Sequence, residues 1–148
     1  MQLTQRLLPM LRAQKHARII NVGSVFGSLA YPGFVAYSAS KFALKGFSEA
    51  LFRELANTGV SVGHFSARAT NTTFNSSAVV ALNNALKTHT DSPHEVAAKL
   101  TKFIHSRKLY NAIPWPEKMF VRLNAVLPSA VSASLQKQLP IIEQFAKG

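Results

Sequence analysis

Residues 18–54, RIINVGSVFGSLAYPGFVAYSASKFALKGFSEALFRE, set a short apolar run before a serine, a turn and a long amphipathic segment. Ile19, Ile20 and Val22 read as a buried strand of a parallel sheet, with Ser24 at its carboxyl end. Tyr31 precedes Pro32 and Gly33, a pair that suits a type II turn, and no basic residue follows it four positions later. From Tyr37 to Leu55, the residues Phe42, Leu44, Phe47, Leu51, Phe52 and Leu55 give a broad apolar helix face. Tyr37 and Lys41 are four apart on that helix, so their Cβ atoms are expected roughly 5–6 Å apart. A free phenol titrates near pH ~10, and making it useful in proton transfer near neutrality takes roughly 4 kcal/mol. One unit charge at ~4 Å supplies ~4 kcal/mol at an effective dielectric of about 20. Ser24 would stand in the crevice outside the carboxyl ends of the strands, where its hydroxyl can donate to a substrate carbonyl oxygen.

Taken singly, each of these residues has a plainer reading. Tyr37 can be a helix tyrosine with a packed ring and a wet hydroxyl, Lys41 a solvated charge and Ser24 a residue of the turn after the strand. The combination decides between the readings. A strand ending N-V-G-S, then thirteen positions from Ser24 to Tyr37, then Y-S-A-S-K, resembles the catalytic signature of the short-chain dehydrogenase/reductase family. The likeness extends to a helix containing LLPML before the strand and to the W-P-E-K segment at 115–118.

The resemblance implies an α/β fold, the C-terminal part of a Rossmann-like, doubly wound parallel sheet with about three strands and flanking helices. Residues 1–148 would form a single partial domain, with a substrate lid at about 74–90 and a C-terminal helical extension at about 116–148. It implies an oxidoreductase that uses NAD or NADP to reduce a carbonyl or oxidise an alcohol. Tyr37 would be the general acid or base, Lys41 would favour its phenolate and hydrogen-bond the nicotinamide ribose, and Ser24 would orient the substrate oxygen. Thr72 occupies the position of a threonine that contacts the carboxamide, while Ala67 and Arg68 stand where the family usually has proline and glycine.

Nothing in the chain supplies the glycine-rich phosphate turn of a dinucleotide-binding half, and its seven glycines are scattered. The first strands of the fold, and the residues that choose between NAD and NADP, are therefore expected upstream of Met1, with NADP marginally preferred. The competing reading is a truncated, catalytically idle piece or interaction module that cannot bind the cofactor alone. In either case Ile19 to Val22 would be an apolar edge strand, from which a homo-oligomer or other self-association is expected.

Composition narrows the field further. The net charge of +11 invites a nucleic-acid partner, but the lysines and arginines are dispersed and match no nucleic-acid motif, so none is expected. Zero cysteines exclude disulfides and thiolate sites and suit a reducing compartment, here expected to be the cytoplasm. The five histidines are scattered, so no metal site is expected, and no apolar run reaches the ~20 residues of a membrane span. A serine hydrolase is excluded, because Gly23, Ser24 and Gly27 do not form G-x-S-x-G and a turn follows instead of a helix.

The remaining elements follow from pattern. Gln2 to Gln14 is expected to be helical, and Asn57, Thr58 and Gly59 to end the long helix as a glycine cap. Val60 to Phe65 gives the next strand, and Phe74 to Thr88 a helix at the lid. Ser92, Pro93 and Glu95 form a capping box opening another helix. Lys108 to Trp115 is expected as the last strand, followed by an apolar stripe of Phe120, Leu123, Leu127, Val131, Leu135 and Leu139.

Overall fold

The computed structural model describes residues 1–146; Lys147 and Gly148, the end of the expected extension, lie outside the described residues. Helix α1 (Gln2–Arg12) leads into strand β1 (Ala17–Ser24), then a single 3-10 turn (Val25–Gly27) and the long helix α2 (Val35–Glu54). Strand β2 (Val60–Ala67) follows, then α3 (Ser77–Ala85), α4 (Pro93–His105), α5 (Glu117–Val126), α6 (Pro128–Gln136) and α7 (Leu139–Ala146). This is an α/β arrangement with a parallel sheet and flanking helices.

The two strands pair in parallel, from Ala17 opposite Val60 to Ser24 opposite Ala67, so both carboxyl ends finish at the same edge of the sheet. Helix α2 is the crossover between them, as a parallel pair requires. Its Leu51 and Leu55 are buried against Val60 and Val62 of β2, and Leu8, Leu11, Ile19 and Phe47 pack around this cluster. On the other face, Phe65 meets Phe103 of α4 at 5.8 Å, and the Arg18 guanidinium lies over the Phe103 ring.

Where a third strand was expected, over Lys108 to Trp115, the sheet gains one parallel bridge, His64 with Tyr110. The physical reason lies in the residues. Pro114 and Pro116 have no N–H to give a ladder, and Asn111 uses its side chain instead of its backbone. Its amide accepts from Ser66 N–H at 2.7 Å and donates to Ser66 C=O at 2.9 Å, doing in one side chain what a strand residue does in its main chain. β2 is thus flanked on both sides, by β1 and by 109–111, whereas β1 pairs only with β2 among the described residues.

Helix α2 does not end in a left-handed glycine, because among the described residues Gly33 is the one glycine with positive φ. Thr58 ends it instead: its N–H and its hydroxyl both donate to Leu55 C=O, and its Oγ1 accepts from Val60 N–H. The capping box at α4 is formed as expected, with Glu95 N–H bonded to Ser92 Oγ and Ser92 N–H to Glu95 Oε2. The apolar stripe after Pro116 is not one helix. The chain breaks at Leu127 (φ −130°, ψ 65°), and Pro128, which cannot continue an i to i−4 ladder, starts α6. Val131 and Ile142 are buried, while Leu127 stays exposed.

Candidate active site

Ser24 leaves β1 in an extended conformation (φ −148°, ψ 160°), and its hydroxyl accepts from Phe26 N–H at 3.2 Å, capping the 3-10 turn. That turn is pressed onto α2 at the level of the sequence-predicted lysine. A Cβ on Gly27 would come within 2.7 Å of the Lys41 carbonyl oxygen, so only glycine allows the approach. Phe26, held between Ser24 and Gly27, reaches Tyr37 edge-on with ring centroids 6.3 Å apart. The 3-10 turn that follows the strand-end serine is therefore packed against the first turns of α2 through Phe26 and Gly27.

On α2, Lys41 Nζ lies 5.4 Å from the centre of the Tyr37 ring, which is 41% exposed. The Tyr37 carbonyl is taken by Ser40 Oγ, whereas its hydroxyl has no protein hydrogen bond among the described residues. Lys41 likewise has no carboxylate within ion-pair distance among the described residues. One turn on, Lys45 is engaged, donating to Ser28 Oγ at 2.8 Å and lying over the Tyr110 ring. The site thus has one unengaged phenol, one unengaged ammonium and a serine hydroxyl at the carboxyl edge of a parallel sheet, the groups needed to orient an oxygen and move a proton.

Thr72 leaves the same edge, on the loop after β2, and is half-buried. The loop that carries it is anchored by Arg68, whose Nε donates to Asp91 Oδ1 at 2.8 Å, and Lys99 Nζ donates to Asp91 Oδ2 at 2.8 Å. Backbone bonds from Asn71 N–H to Asp91 C=O and from Asp91 N–H to Ala69 C=O complete the join, and Glu117 of the W-P-E-K segment stands 3.7 Å from Arg68 Nη1. The hydrogen bond from Arg68, with Lys99 beside it, holds the Asp91 carboxyl below the usual carboxylate range despite its burial. Arg68, an oddity in the sequence, is thus an anchor of the Thr72 loop.

Sequence reasoning passed over His64. It is fully buried on β2, and a Cβ on Gly23 would sit 2.4 Å from its ring, so the residue before Ser24 must be glycine while the histidine is there. Ser48 Oγ donates to Leu44 C=O and accepts from Asn21 Nδ2, which assigns the proton in its 3.4 Å contact with His64 to Nδ1 and leaves Nε2 as an unpartnered acceptor. The signal was present in the spacing: Val60, Val62 and His64 alternate onto one face of β2, and both valines are core.

Burial, with Lys45 and Lys41 nearby, lowers the His64 pKa from 6.5 to about 4. Between those values the unfolded chain takes a proton that the folded chain refuses, so folding stability is full above pH 6.5 and falls as the pH drops towards 4. The loss expected is about 3 kcal/mol at most. Urea unfolding at pH 7, 5.5 and 4.5 should show it, and His64→Gln should flatten the dependence.

Comparison with known proteins bears on this arrangement directly. A model of the short chain dehydrogenase family matches residues 1–82, which hold α1, β1, α2, β2 and the three predicted catalytic positions. The "Uncharacterized oxidoreductase YbbO" of Escherichia coli (strain K12) is 37% identical over 103 residues, 68% of this chain and 36% of that protein. A short chain dehydrogenase from Burkholderia cenocepacia J2315, solved in complex with NADP, shares the fold with a TM-score of 0.72 at 20% identity over 89% of this chain and 52% of its own. A short chain dehydrogenase/reductase from Burkholderia phymatum, solved in complex with NAD, does so with a TM-score of 0.67 at 21% identity over 82% and 52%. The chain therefore spans about a third of the first relative and about half of the two solved chains. Since the family match takes in 82 of the 148 residues, among them Ser24, Tyr37 and Lys41, the chain belongs to the short chain dehydrogenase family.

Proposed function

We propose that the chain carries the catalytic half of an oxidoreductase that interconverts a carbonyl and an alcohol with a nicotinamide dinucleotide. The observation that carries this is a Tyr37 hydroxyl without a protein partner among the described residues, with the Lys41 ammonium 5.4 Å from its ring centre and the turn that follows Ser24 packed against both residues through Phe26 and Gly27. When bound, the cofactor would supply or take up the hydride. Ser24 would donate to the substrate oxygen and hold it in place. Tyr37 would give its phenolic proton to that oxygen during reduction and reclaim it during oxidation. Lys41, with no competing carboxylate, would stabilise the phenolate so formed and hydrogen-bond a ribose hydroxyl, with Thr72 reaching the carboxamide from the far side of the cleft.

The residues present fit the nicotinamide and ribose end of such a cofactor. No glycine-rich turn opening a helix is found among the described residues, so the pyrophosphate and adenine would be held elsewhere. Solved relatives in complex with NADP and with NAD support the cofactor class, and NADP is the working choice. We read α3 as part of the substrate lid, with Leu82 buried and Val80 exposed, and, from a chain with no cysteine, the cytoplasm as the compartment; no described helix is long and apolar enough to cross a membrane. The unpaired edge of β1, with Val22 half exposed, is read as the site where a second copy adds.

Fluorescence titration with NADH and NADPH tests the reading. Saturable binding is expected, weakened about tenfold or more by Lys41→Ala, together with a species larger than a monomer in sedimentation. Absence of binding at millimolar cofactor would assign the chain to the idle alternative, and a monodisperse monomer would remove the edge-pairing reading.

A further inference from the structure

Three half-buried rings, Phe26, Tyr31 and Phe34, stand beside the exposed ring of Tyr37. Phe26 stacks on Tyr31 with centroids 5.1 Å apart and planes 2° from parallel, and meets Phe34 at 5.4 Å. Tyr37 joins edge-on, 6.3 Å from Phe26 and 6.4 Å from Phe34. The wall is fixed from behind, where the Tyr31 hydroxyl bonds Gln138 Oε1 after α6 and its N–H bonds Ser38 Oγ on α2. Beyond Tyr31 a cleft of about 570 Å³ opens between α2 and α6, bounded by Pro32, Val35, Phe42 and Leu135, with no charged side chain in its lining.

Rings that merely fill a core are buried out of reach of solvent, but these keep a solvent-facing side next to the one unengaged hydroxyl on the helix. Phe26 and Phe34 are the ring neighbours of Tyr37, at 6.3 and 6.4 Å between centroids, and so offer an apolar surface to the substituents of an oxygen bound there. Of the cations nearby, Lys45 is engaged by Ser28 and Tyr110, and Lys41 is the ammonium whose pull on an acidic substrate the pyruvate arm of the test below measures against the wall.

We propose that the wall of Phe26, Tyr31 and Phe34 selects an apolar, ring-bearing ketone or secondary alcohol, whose oxygen meets Tyr37 while its ring lies against the wall. This assignment rests on the oxidoreductase reading of Tyr37 and Lys41. A ring on this surface gains an offset or edge-on aromatic contact that a methyl group or a carboxylate cannot make, a difference of about two- to tenfold in affinity.

The test is ligand-observed saturation-transfer NMR on the full chain, with acetophenone, acetone and pyruvate compared at equal concentration and NADPH titrated separately. Acetophenone is expected to bind at least about threefold more tightly than the other two. Phe26→Leu, which keeps an apolar side chain of similar bulk, should erase most of that preference and leave NADPH binding unchanged. Phe34→Leu serves the same purpose if Phe26→Leu fails to fold. Equal or better binding of pyruvate, retention of the preference in both variants, or no binding of any of the three overturns the proposal. NADPH binding without a ring preference would sink the substrate class alone. A ring preference without NADPH binding would sink the oxidoreductase reading while leaving the wall as a site for apolar rings.

Discussion

On the proposed reading, Tyr37→Phe is expected to lower carbonyl turnover by about 10²- to 10⁴-fold, the usual contribution of a positioned general acid. The substitution removes one oxygen and nothing else. The phenyl ring of the variant keeps its edge-on contacts with Phe26 and Phe34, and the lost hydroxyl had no protein partner among the described residues. The melting temperature should therefore stay within a degree or two. Single-turnover oxidation of NADPH with a ketone substrate, measured beside thermal unfolding, separates chemistry from folding. Turnover within about threefold of the unsubstituted chain would show that Tyr37 is not the proton donor.

Asp91→Ala should cost about 3–5 kcal/mol of folding stability, the range for stranding one member of a buried ion pair. The Arg68 side chain is only 12% exposed and that of Asp91 5%, so the guanidinium cannot turn to water when its carboxylate is removed. Glu117, 3.7 Å away, is too distant to replace two direct hydrogen bonds. In a chain of this size the loss corresponds to a fall in melting temperature of order 10 °C. The sign of the pH dependence follows from the depressed carboxyl. The contribution of Asp91 is complete above the ordinary aspartate range and is lost as the pH falls through the lower folded value, so the variant should differ from its parent most near neutrality and least in strong acid. Calorimetry at pH 7 and pH 3 checks both. A difference below about 1 kcal/mol at pH 7 would mean that the backbone bonds to Asp91, not its charge, hold the Thr72 loop.

How far the chain could be read in advance depended on whether the deciding physics was local. The strand, turn and helix that carry Ser24, Tyr37 and Lys41 were legible because an apolar run, the Pro32–Gly33 pair and a helical apolar period are all local signals. The Ser92 to Glu95 capping box was legible because both partners lie within one helical turn. The last strand was not, because Asn111 replaces main-chain pairing with its side chain, a substitution that leaves no periodic trace. The role of Arg68 required Asp91, 23 residues later, and the burial of His64 required Gly23 on the neighbouring strand. The break at Leu127 stands between these cases: Pro128 marked it, but the regular spacing of Phe120, Leu123 and Leu127 suggested a continuity that the backbone does not have.

The unequal flanking of the two strands also divides the cleft dynamically. Amides of β2 are sealed between β1 and residues 109–111, so their hydrogens should exchange with solvent only when the sheet as a whole opens. In a single copy, alternate amides of β1 face outward and need no such opening to exchange, whereas a second copy added at that edge would protect them. Ser24 therefore stands on the strand with one paired edge, while the loop bearing Thr72 leaves the strand flanked on both sides, and hydrogen exchange is expected to be faster along β1 than along β2.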